Sequence, residues 1–385
     1  MSPMARIYAD YNATAPLRPE AKAAMLRALE MTGNPSSVHA EGRKVRALVE
    51  GARDAVAAAV GACRDDIVFT SGGTEAVQAP LRGVLRSVEN AQLVVSSIEH
   101  DAVSALAELP KAWPVKAQGV TDLVWLEAVV ATLAADGKRP LVSLMLVNNE
   151  TGVIQPVAEA VEIIHAAGGL IHCDAIQGLG KIDVSVIELD VDYLSLSAHK
   201  IGGPQGVGAF YVKPGAPFSA VQTGGGQEFG RRSGTENVAG LAGFGAAVEA
   251  ALAGLEQYEA LRPVRDTMEA RLKAAVPDLQ VHGAAAPRVA GVSCFGVDGL
   301  PSETQVMGLD LAGIAVSAGS ACSSGKVKPS RVLTAMGLND TAARSAIRAS
   351  FGWASKPEEF DVLAGAWLKM AARARPELVK LDANV

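Results

Sequence analysis

The chain has 385 residues, of which 49% are apolar and 20% charged, and its formal net charge is −6. This length suits a large domain plus a smaller one, and the composition is that of an ordinary globular protein. No basic block indicates nucleic-acid or anionic-membrane binding, and no apolar run approaches the roughly 18 residues that span a bilayer. The first ten residues lack the apolar core of a secretory signal, so we expect a cytoplasmic protein.

Helices and strand-length apolar runs alternate along the first two-thirds of the chain. Helices are predicted at 18–31, 39–60, 123–135 and 156–167. Strands are predicted at 66–70, 92–96, 140–147, 169–173 and 193–196. Buried runs separated by crossover helices predict a mostly parallel sheet with helices on both faces. Ligands of such sheets bind outside the carboxyl ends of the strands, and polar clusters follow these strands directly.

The last third of the chain changes character and predicts a second, smaller α/β domain. Residues 240–275 are expected to be helical. Strands are expected at 289–296, 314–317 and 346–352, with helices between and after them. We therefore predict a large domain over 15–255 and a small domain built from 1–14 and 256–385.

The four cysteines stand at positions 63, 173, 294 and 322, without a CxxC pair. That spacing indicates neither a zinc knuckle nor a thioredoxin-type site, and disulfides are not expected in a reducing compartment. Cys63, Cys173 and Cys294 lie in or beside apolar segments and are interpreted as small buried hydrophobes. Cys322 lies in a loop of Gly, Ser and Ala that we expect to be exposed and mobile, as a nucleophilic thiol that carries its product away requires.

A lysine, Lys200, follows the predicted strand 193–196 in the sequence Ser-Ala-His-Lys and precedes a glycine-rich turn at 202–206. A lysine at a strand end suits a Schiff base, because burial near other cations lowers the pKa of its amine. The alternative is an ordinary surface lysine. Gly72 and Gly73, between a strand and a helix, suit a phosphate site, although many strand–turn–helix connections carry such a pair.

Further polar residues stand at strand ends. Asp174 could pair with a protonated ring nitrogen or cap a turn. His100 could stack on a flat ring and shuttle protons or be a satisfied polar residue, and Asn149 could bind a phenolic oxygen or belong to a turn. Arg348, in an apolar strand, could bind a substrate carboxylate or form a structural salt bridge.

These segments, in this order, resemble the cysteine desulfurases of the NifS/IscS type from residue 8 to about residue 352. The motifs that carry the resemblance are Tyr8-Ala9-Asp10-Tyr11-Asn12-Ala13-Thr14-Ala15-Pro16, Gly33-Asn34-Pro35-Ser36-Ser37, Thr70-Ser71-Gly72-Gly73-Thr74-Glu75, Val147-Asn148-Asn149-Glu150, Asp174-Ala175-Ile176-Gln177, Ser197-Ala198-His199-Lys200, Arg232-Ser233-Gly234-Thr235 and Gly319-Ser320-Ala321-Cys322. The resemblance implies the aminotransferase-like α/β fold of enzymes that use pyridoxal 5′-phosphate (PLP), fold type I, with a large, mostly parallel sheet domain and a smaller α/β domain.

The resemblance also implies roles for individual residues. Lys200 would hold PLP as a Schiff base, and Cys322 would carry the sulfur as a persulfide. Asp174 would face the pyridine nitrogen, and His100 would stack on the ring and relay protons. The other implied contacts are Gln177 and Asn149 to the phenolic oxygen; Gly73, Thr74, Ser197, His199 and Thr235 of the partner subunit to the phosphate; and Asn34 and Arg348 to the cysteine carboxylate. No resident metal is implied, apart from Cys322 as a transient iron–sulfur ligand.

By resemblance, the enzyme converts L-cysteine to L-alanine and passes sulfur to an acceptor or iron–sulfur scaffold protein, for cluster assembly or other sulfur-containing products. A homodimer is implied, with neither nucleic acid nor membrane as a partner. A selenocysteine lyase or another PLP-dependent lyase or aminotransferase of the same fold is the alternative, although transamination needs no thiol. An alternative of another class is a catalytically dead scaffold that kept the fold. Such a protein would lack Lys200, Asp174 or Cys322, and all three are present.

The sequence departs from the family pattern at three places. Residues 76–78 are Ala-Val-Gln, where the family usually carries an Asn. Gln227 stands where the IscS branch tends to have His, which favours the NifS-like branch. The chain stops at residue 385 without the longer tail that housekeeping IscS proteins use to dock their scaffold, so the identity of the sulfur acceptor stays open.

Overall fold

The computed structural model describes residues 6–106, 112–319 and 329–378, and it contains three separate sheets with helices packed around them. The strands are β1 (Ile7–Tyr8), β2 (Ile67–Thr70), β3 (Ala91–Ser96), β4 (Ala112–Trp113), β5 (Arg139–Met145), β6 (Leu170–Asp174), β7 (Tyr193–Ser197), β8 (Gly208–Val212), β9 (Gln280–Val281), β10 (Val292–Gly296), β11 (Ile314–Ala315), β12 (Ser317–Ala318) and β13 (Ala346–Ser350). The helices are α1 (Pro19–Leu29), α2 (Ala40–Val60), α3 (Gly73–Ser87), α4 (Asp101–Ser104), α5 (Leu123–Ala135), α6 (Val157–Ala166), α7 (Val186–Leu189), α8 (Val238–Ala253), α9 (Leu255–Glu259), α10 (Leu261–Ala275), α11 (Ser302–Leu311), α12 (Arg331–Ala335), α13 (Asp340–Arg344) and α14 (Pro357–Ala374).

The large sheet has seven strands in the order β2-β8-β7-β6-β5-β3-β4. Only β8 opposes the common direction: it pairs antiparallel with both β2 and β7, and the remaining pairs are parallel. The mostly parallel sheet predicted from the sequence is confirmed. The strand β8, which we did not predict, is buried at all five positions and separates β2 from β7.

This topology brings the predicted polar clusters to one edge. Because β2 and β7 both run opposite to β8, strands β2, β3, β5, β6 and β7 point the same way. Their carboxyl ends therefore open on one side of the sheet, where α/β proteins bind ligands. The segments that leave these ends carry Gly73, His100, Asn149, Asp174 and Lys200.

The C-terminal part of the chain forms its own antiparallel sheet in the order β12-β13-β10-β9, against which α10, α11 and α14 pack. The N-terminal strand β1 joins this part of the molecule by pairing with β11, and Asp10 forms a bridge with Ser350 at the end of β13. Residues 10–13 are thus held between the two sheets. The exact domain boundaries stay a prediction.

Two further features concern the cysteines and the apolar helices. Cys173 and Cys294 are buried as predicted, but the prediction for Cys63 is wrong, because Cys63 follows the end of α2 at Val60 and is exposed. Across the described ranges, no single helix is long and apolar enough to cross a membrane. Helix α8 and residues 255–275 reach that length and apolar composition only together, as a pair bent by 61°.

Candidate active site

A cavity of about 350 Å³ lies at the carboxyl ends of the large sheet. The polar or glycine residues that line it are Asn12, Gly73, Thr74, His100, Asn149, Asp174, Gln177, Ser197, His199, Lys200 and Arg348. All but Asn12 were predicted as site residues from the sequence. The cavity therefore collects residues from seven separate stretches of the chain.

The Lys200 amine lies in this cavity, on the short turn that follows β7. Its Nζ donates hydrogen bonds to two carbonyl oxygens, that of Asn12 at 2.6 Å and that of Ala13 at 2.9 Å. Burial and then the Arg348 charge lower the pKa of Lys200 to about 8, although Asp10 and Asp174 act in the opposite direction. With this pKa, roughly a tenth of the amine is neutral and nucleophilic at pH 7.

Asp174 ends β6 and is buried at the base of the cavity. Burial raises its pKa, while the Ile176 amide, His100 and Lys200 favour the charged form. A cationic group in the cavity would satisfy this carboxylate further. Behind it, the buried Glu99 has a pKa raised to about 8 by burial and by the Asp174 charge.

One end of the cavity is built for an anion. The N-terminus of the 15-residue helix α3 begins at Gly73, and a helix N-terminus offers free N–H groups to an anion. The Ser197 hydroxyl beside it is buried and has no hydrogen-bond partner among the described residues. A Cβ on Gly73 would lie 2.9 Å from Cδ1 of Ile176 and 3.3 Å from Cβ of Ser197, so glycine keeps this corner open.

Two histidines line the cavity. Nδ1 of His100 accepts the Ala102 amide proton at 3.1 Å, which leaves the other ring nitrogen to carry the proton. The His199 ring lies 3.2 Å from the Thr14 hydroxyl, and burial together with the Lys200 charge lowers its pKa to about 4. The His199 ring can offer a hydrogen bond to an anion at this end of the cavity.

Arg348 projects from β13, in the small sheet, into the cavity. It forms an ion pair of 2.7 Å with Asp10 and donates to the Asn149 carbonyl oxygen at 3.2 Å. The salt bridge that we weighed as an alternative is therefore present. The buried Nε has no partner within the described residues, so the guanidinium retains capacity for another acceptor.

Sequence reasoning missed Asn12 and Lys181, which form a network behind Gln177. Nζ of the buried Lys181 donates to Oδ1 of Asn12 at 2.7 Å and to Oε1 of Gln177. The Asn12 carbonyl also accepts from Nε2 of Gln177 at 3.0 Å. Position 181 carries no sequence signal for this role beyond its four-residue distance from Gln177.

Sequence reasoning also missed Glu150, whose buried carboxylate lies close to residues on both sides of the cysteine segment. The Ser330 hydroxyl donates to Oε2 of Glu150 at 2.5 Å, and a Cβ on Gly319 would lie 2.6 Å from the same oxygen. Burial raises the pKa of Glu150 to about 7. Segment 320–328, which contains the predicted sulfur carrier Cys322, lies outside the described residues.

Two predicted site residues lie away from the cavity. Asn34 is exposed, and its side-chain oxygen accepts from the Ser36 amide at 2.8 Å. Thr235 is also exposed, in the segment that precedes α8. The resemblance assigned Thr235 to the site of a second subunit. A single chain does not test that assignment, which stays a prediction.

Comparison with known proteins agrees with this geometry. The family model for aminotransferase class-V matches residues 7–363. A cysteine desulfurase of Cereibacter sphaeroides is 42% identical over 371 residues, covering 94% of each chain.

Solved structures give the same result. The NifS-like protein of Rickettsia africae superposes with a TM-score of 0.86 at 30% identity, covering 95% of this chain and 99% of its own. A structure described as SspA in complex with cysteine superposes with a TM-score of 0.75 at 28% identity, covering 90% and 98%. The chain thus belongs to the aminotransferase class-V family and, within it, to the PLP-dependent cysteine desulfurases.

Proposed function

We propose that this protein converts L-cysteine to L-alanine and collects the sulfur atom as a persulfide on Cys322. The observation that carries the proposal is the convergence of Lys200, Asp174 and Arg348 on one cavity. An amine, a buried carboxylate and a guanidinium are the groups that a PLP enzyme acting on an amino acid requires. The relative solved with bound cysteine supports this choice of substrate.

The donor set of the cavity fits PLP. The unpartnered Ser197 hydroxyl at the N-terminus of α3 suits the phosphate, and Asp174 suits the ring nitrogen. The residues that would hold PLP are Lys200 through its amine, Asp174 at the ring nitrogen, Gln177 and Asn149 at the phenolic oxygen, His100 on the ring face, and Gly73, Thr74, Ser197, His199 and Thr235 of the partner subunit at the phosphate. When bound, PLP supplies an electron sink for the electrons that the α-carbon of the substrate releases.

The residues of the chain would then orient the substrate and move its protons. Arg348, which lines the cavity, would bind the cysteine carboxylate, with Asn34 as the second proposed contact. The Lys200 amine, whose pKa is lowered to about 8, would take the proton from the α-carbon. His100 would relay protons through the ring nitrogen that the Ala102 amide leaves free.

Sulfur transfer would take place at Cys322. Its thiolate would attack the substrate sulfur, so that a sulfur–sulfur bond forms as the carbon–sulfur bond breaks. The carbon keeps the bonding electrons and takes up a proton. One cysteine and one thiol thereby give one alanine and one persulfide, with no external oxidant or reductant.

We also propose a homodimer in which Thr235 of the partner subunit completes the phosphate site. Thr235 is exposed and is not among the residues that line the cavity of its own chain, which supports that assignment. The persulfide would pass to an acceptor or iron–sulfur scaffold protein. A cytoplasmic location fits a reaction that requires a free thiol, since reducing compartments keep thiols free.

An assay of alanine and persulfide from L-cysteine tests the proposal. The parent protein supplied with PLP should form both in equal amounts. Lys200→Ala should lose the long-wavelength absorbance of bound PLP and all turnover. Cys322→Ser should keep that absorbance and lose the persulfide, whereas Cys63→Ser, at an exposed cysteine elsewhere, should match the parent. A parent without alanine formation, or a Cys322→Ser variant with undiminished persulfide, would contradict the proposal.

A further inference from the structure

Lys181 is a buried amine behind the cavity that the proposed reaction does not use. It lies in the turn after β6, four residues beyond Gln177, and is only 7% exposed. Within the described parts of the chain, both hydrogen-bond acceptors of its amine are amide oxygens rather than carboxylates. Since an unpaired buried cation is costly, the presence of lysine here requires a physical reason.

The contacts of Lys181 supply that reason. Its Nζ donates to two amide oxygens, Oδ1 of Asn12 at 2.7 Å and Oε1 of Gln177. Burial and the nearby Lys200 and Arg348 charges lower the pKa of Lys181 well below its ordinary value. A neutral amine with two N–H bonds satisfies both oxygens without placing a charge in the core.

These contacts determine which way the Gln177 amide faces. In the observed orientation, Oε1 accepts from Lys181 and Nε2 donates to the Asn12 carbonyl at 3.0 Å. The reversed amide would set its oxygen against the Asn12 carbonyl oxygen and would lose the hydrogen bond that Lys181 donates to Oε1. Nε2 carries a second hydrogen, and Gln177 lines the cavity.

The same amine also fixes Asn12, which supports the catalytic lysine. The Asn12 carbonyl accepts from Nζ of Lys200 at 2.6 Å, and its side-chain nitrogen donates to the Asn149 carbonyl at 2.9 Å. Its backbone N–H donates to the Ser350 hydroxyl at 3.0 Å. Loss of Lys181 would leave two buried amide oxygens unsatisfied, one on Asn12 and one on Gln177.

We propose that Lys181 is a positioning residue that locks the Gln177 amide with its NH₂ group toward the phenolic oxygen of the cofactor. This inference rests on the proposed function, because it concerns the PLP site. Lys181 itself is not among the residues that line the cavity. A core-filling lysine would explain the burial but not the pair of hydrogen bonds that excludes the reversed amide.

The test compares PLP binding in four proteins: the parent, Lys181→Met, Gln177→Leu and the double variant. Lys181→Met keeps an unbranched side chain, one atom shorter than lysine, and removes its donors. We expect it to raise the PLP dissociation constant of the apoprotein about tenfold and to shift the long-wavelength absorbance of bound PLP. In the Gln177→Leu background, the same change should have little additional effect, because coupled residues are not additive.

The matched control is Lys369→Met, at an exposed lysine of α14, which should leave both readouts at the parent values. Thermal unfolding of each apoprotein reports folding. If Lys181→Met is insoluble, Lys181→Gln, one bond too short to reach both oxygens, takes its place with the same expectations.

The outcomes separate this inference from the proposed function. A parent protein that does not bind PLP would overturn both. A parent that binds PLP, with a Lys181 variant of unchanged affinity and absorbance, would overturn only the role of Lys181. An effect of equal size in the Gln177→Leu background would show that Lys181 does not act through Gln177, and would likewise overturn it.

Discussion

Arg348 and Asp10 form a partly buried ion pair of 2.7 Å at the edge of the cavity. Asp10 also accepts a hydrogen bond of 3.0 Å from the Ser317 hydroxyl, so its carboxylate is held from two sides. The pair neutralises one edge of the guanidinium and leaves the buried Nε without a partner among the described residues. A structural salt bridge and a carboxylate-binding arginine are therefore compatible at this position.

Replacing Arg348 should weaken substrate binding. For Arg348→Ala we expect KM for L-cysteine to rise about 10- to 100-fold, the equivalent of about 1.5–3 kcal/mol for a charged hydrogen bond. PLP absorbance should persist. Steady-state kinetics with cysteine provide the measurement.

Asp10→Asn is the matched variant for Arg348→Ala, because it breaks the ion pair but keeps the guanidinium. If Arg348 binds the substrate carboxylate, Asp10→Asn should leave KM near the parent value. Equal increases in KM for both variants would show that the ion pair, rather than a contact between Arg348 and the substrate, determines KM.

The contact between Gly319 and Glu150 predicts a sensitive position before the cysteine segment. A Cβ at residue 319 would lie 2.6 Å from Oε2 of Glu150, and the carboxylate is buried and hydrogen-bonded to Ser330. Gly319→Ala should cost about 1–3 kcal/mol of unfolding free energy, as for other overpacked sites. It should also slow persulfide formation while PLP binding stays at the parent level.

A second substitution identifies the cause. In a Glu150→Ala background the clashing carboxylate is gone, so Gly319→Ala should cost much less there than in the parent. Denaturant unfolding of the four proteins in this cycle gives the coupling. If Gly319→Ala lowers the free energy of unfolding equally in the parent and in the Glu150→Ala background, the strain arises from another contact.

The buried Glu99 carboxyl predicts a pH dependence of stability. Its folded pKa is raised from 4.5 to about 8, so the folded state binds a proton more tightly than the unfolded state between these values. The contribution of Glu99 to stability therefore decreases as pH rises through this window and is constant above it.

Glu99→Gln isolates this contribution because the amide resembles the protonated acid and can still accept from the Met145 amide, which now donates to Oε1 at 2.6 Å. The melting temperature of Glu99→Gln minus that of the parent should increase from about pH 4.5 to about pH 8. A difference independent of pH would contradict the raised pKa.

Much of the fold could be predicted because strands and helices differ in the period of their apolar residues. The strand predicted at 92–96 occurs as Ala91–Ser96, and the helix predicted at 123–135 has those bounds. Strand β8 was missed because its buried residues follow a glycine-rich turn that we considered only as a turn. Its antiparallel insertion between β2 and β7 is a long-range pairing that no local pattern encodes.

The histidines illustrate a second limit. His172 and His100 both follow or end predicted strands, and the sequence offers little to separate them. In the structure His172 is fully buried between the hydroxyls of Ser143 and Ser195, at 2.9 and 2.7 Å, and burial lowers its pKa to about 3. His100 lines the cavity. Burial, which depends on the whole sheet, distinguishes the two residues.

The sequence by itself determined the family, the mostly parallel sheet and the set of polar residues at its strand ends, because these follow from local motifs and from apolar periodicity. Only the tertiary structure decided which buried groups support that set: Asp10 beside Arg348, Lys181 behind Gln177, and Glu150 between Gly319 and Ser330. These partners are up to 338 residues apart. A buried charge or amide is stable only if folding brings it a partner, and that condition is met in space rather than along the chain.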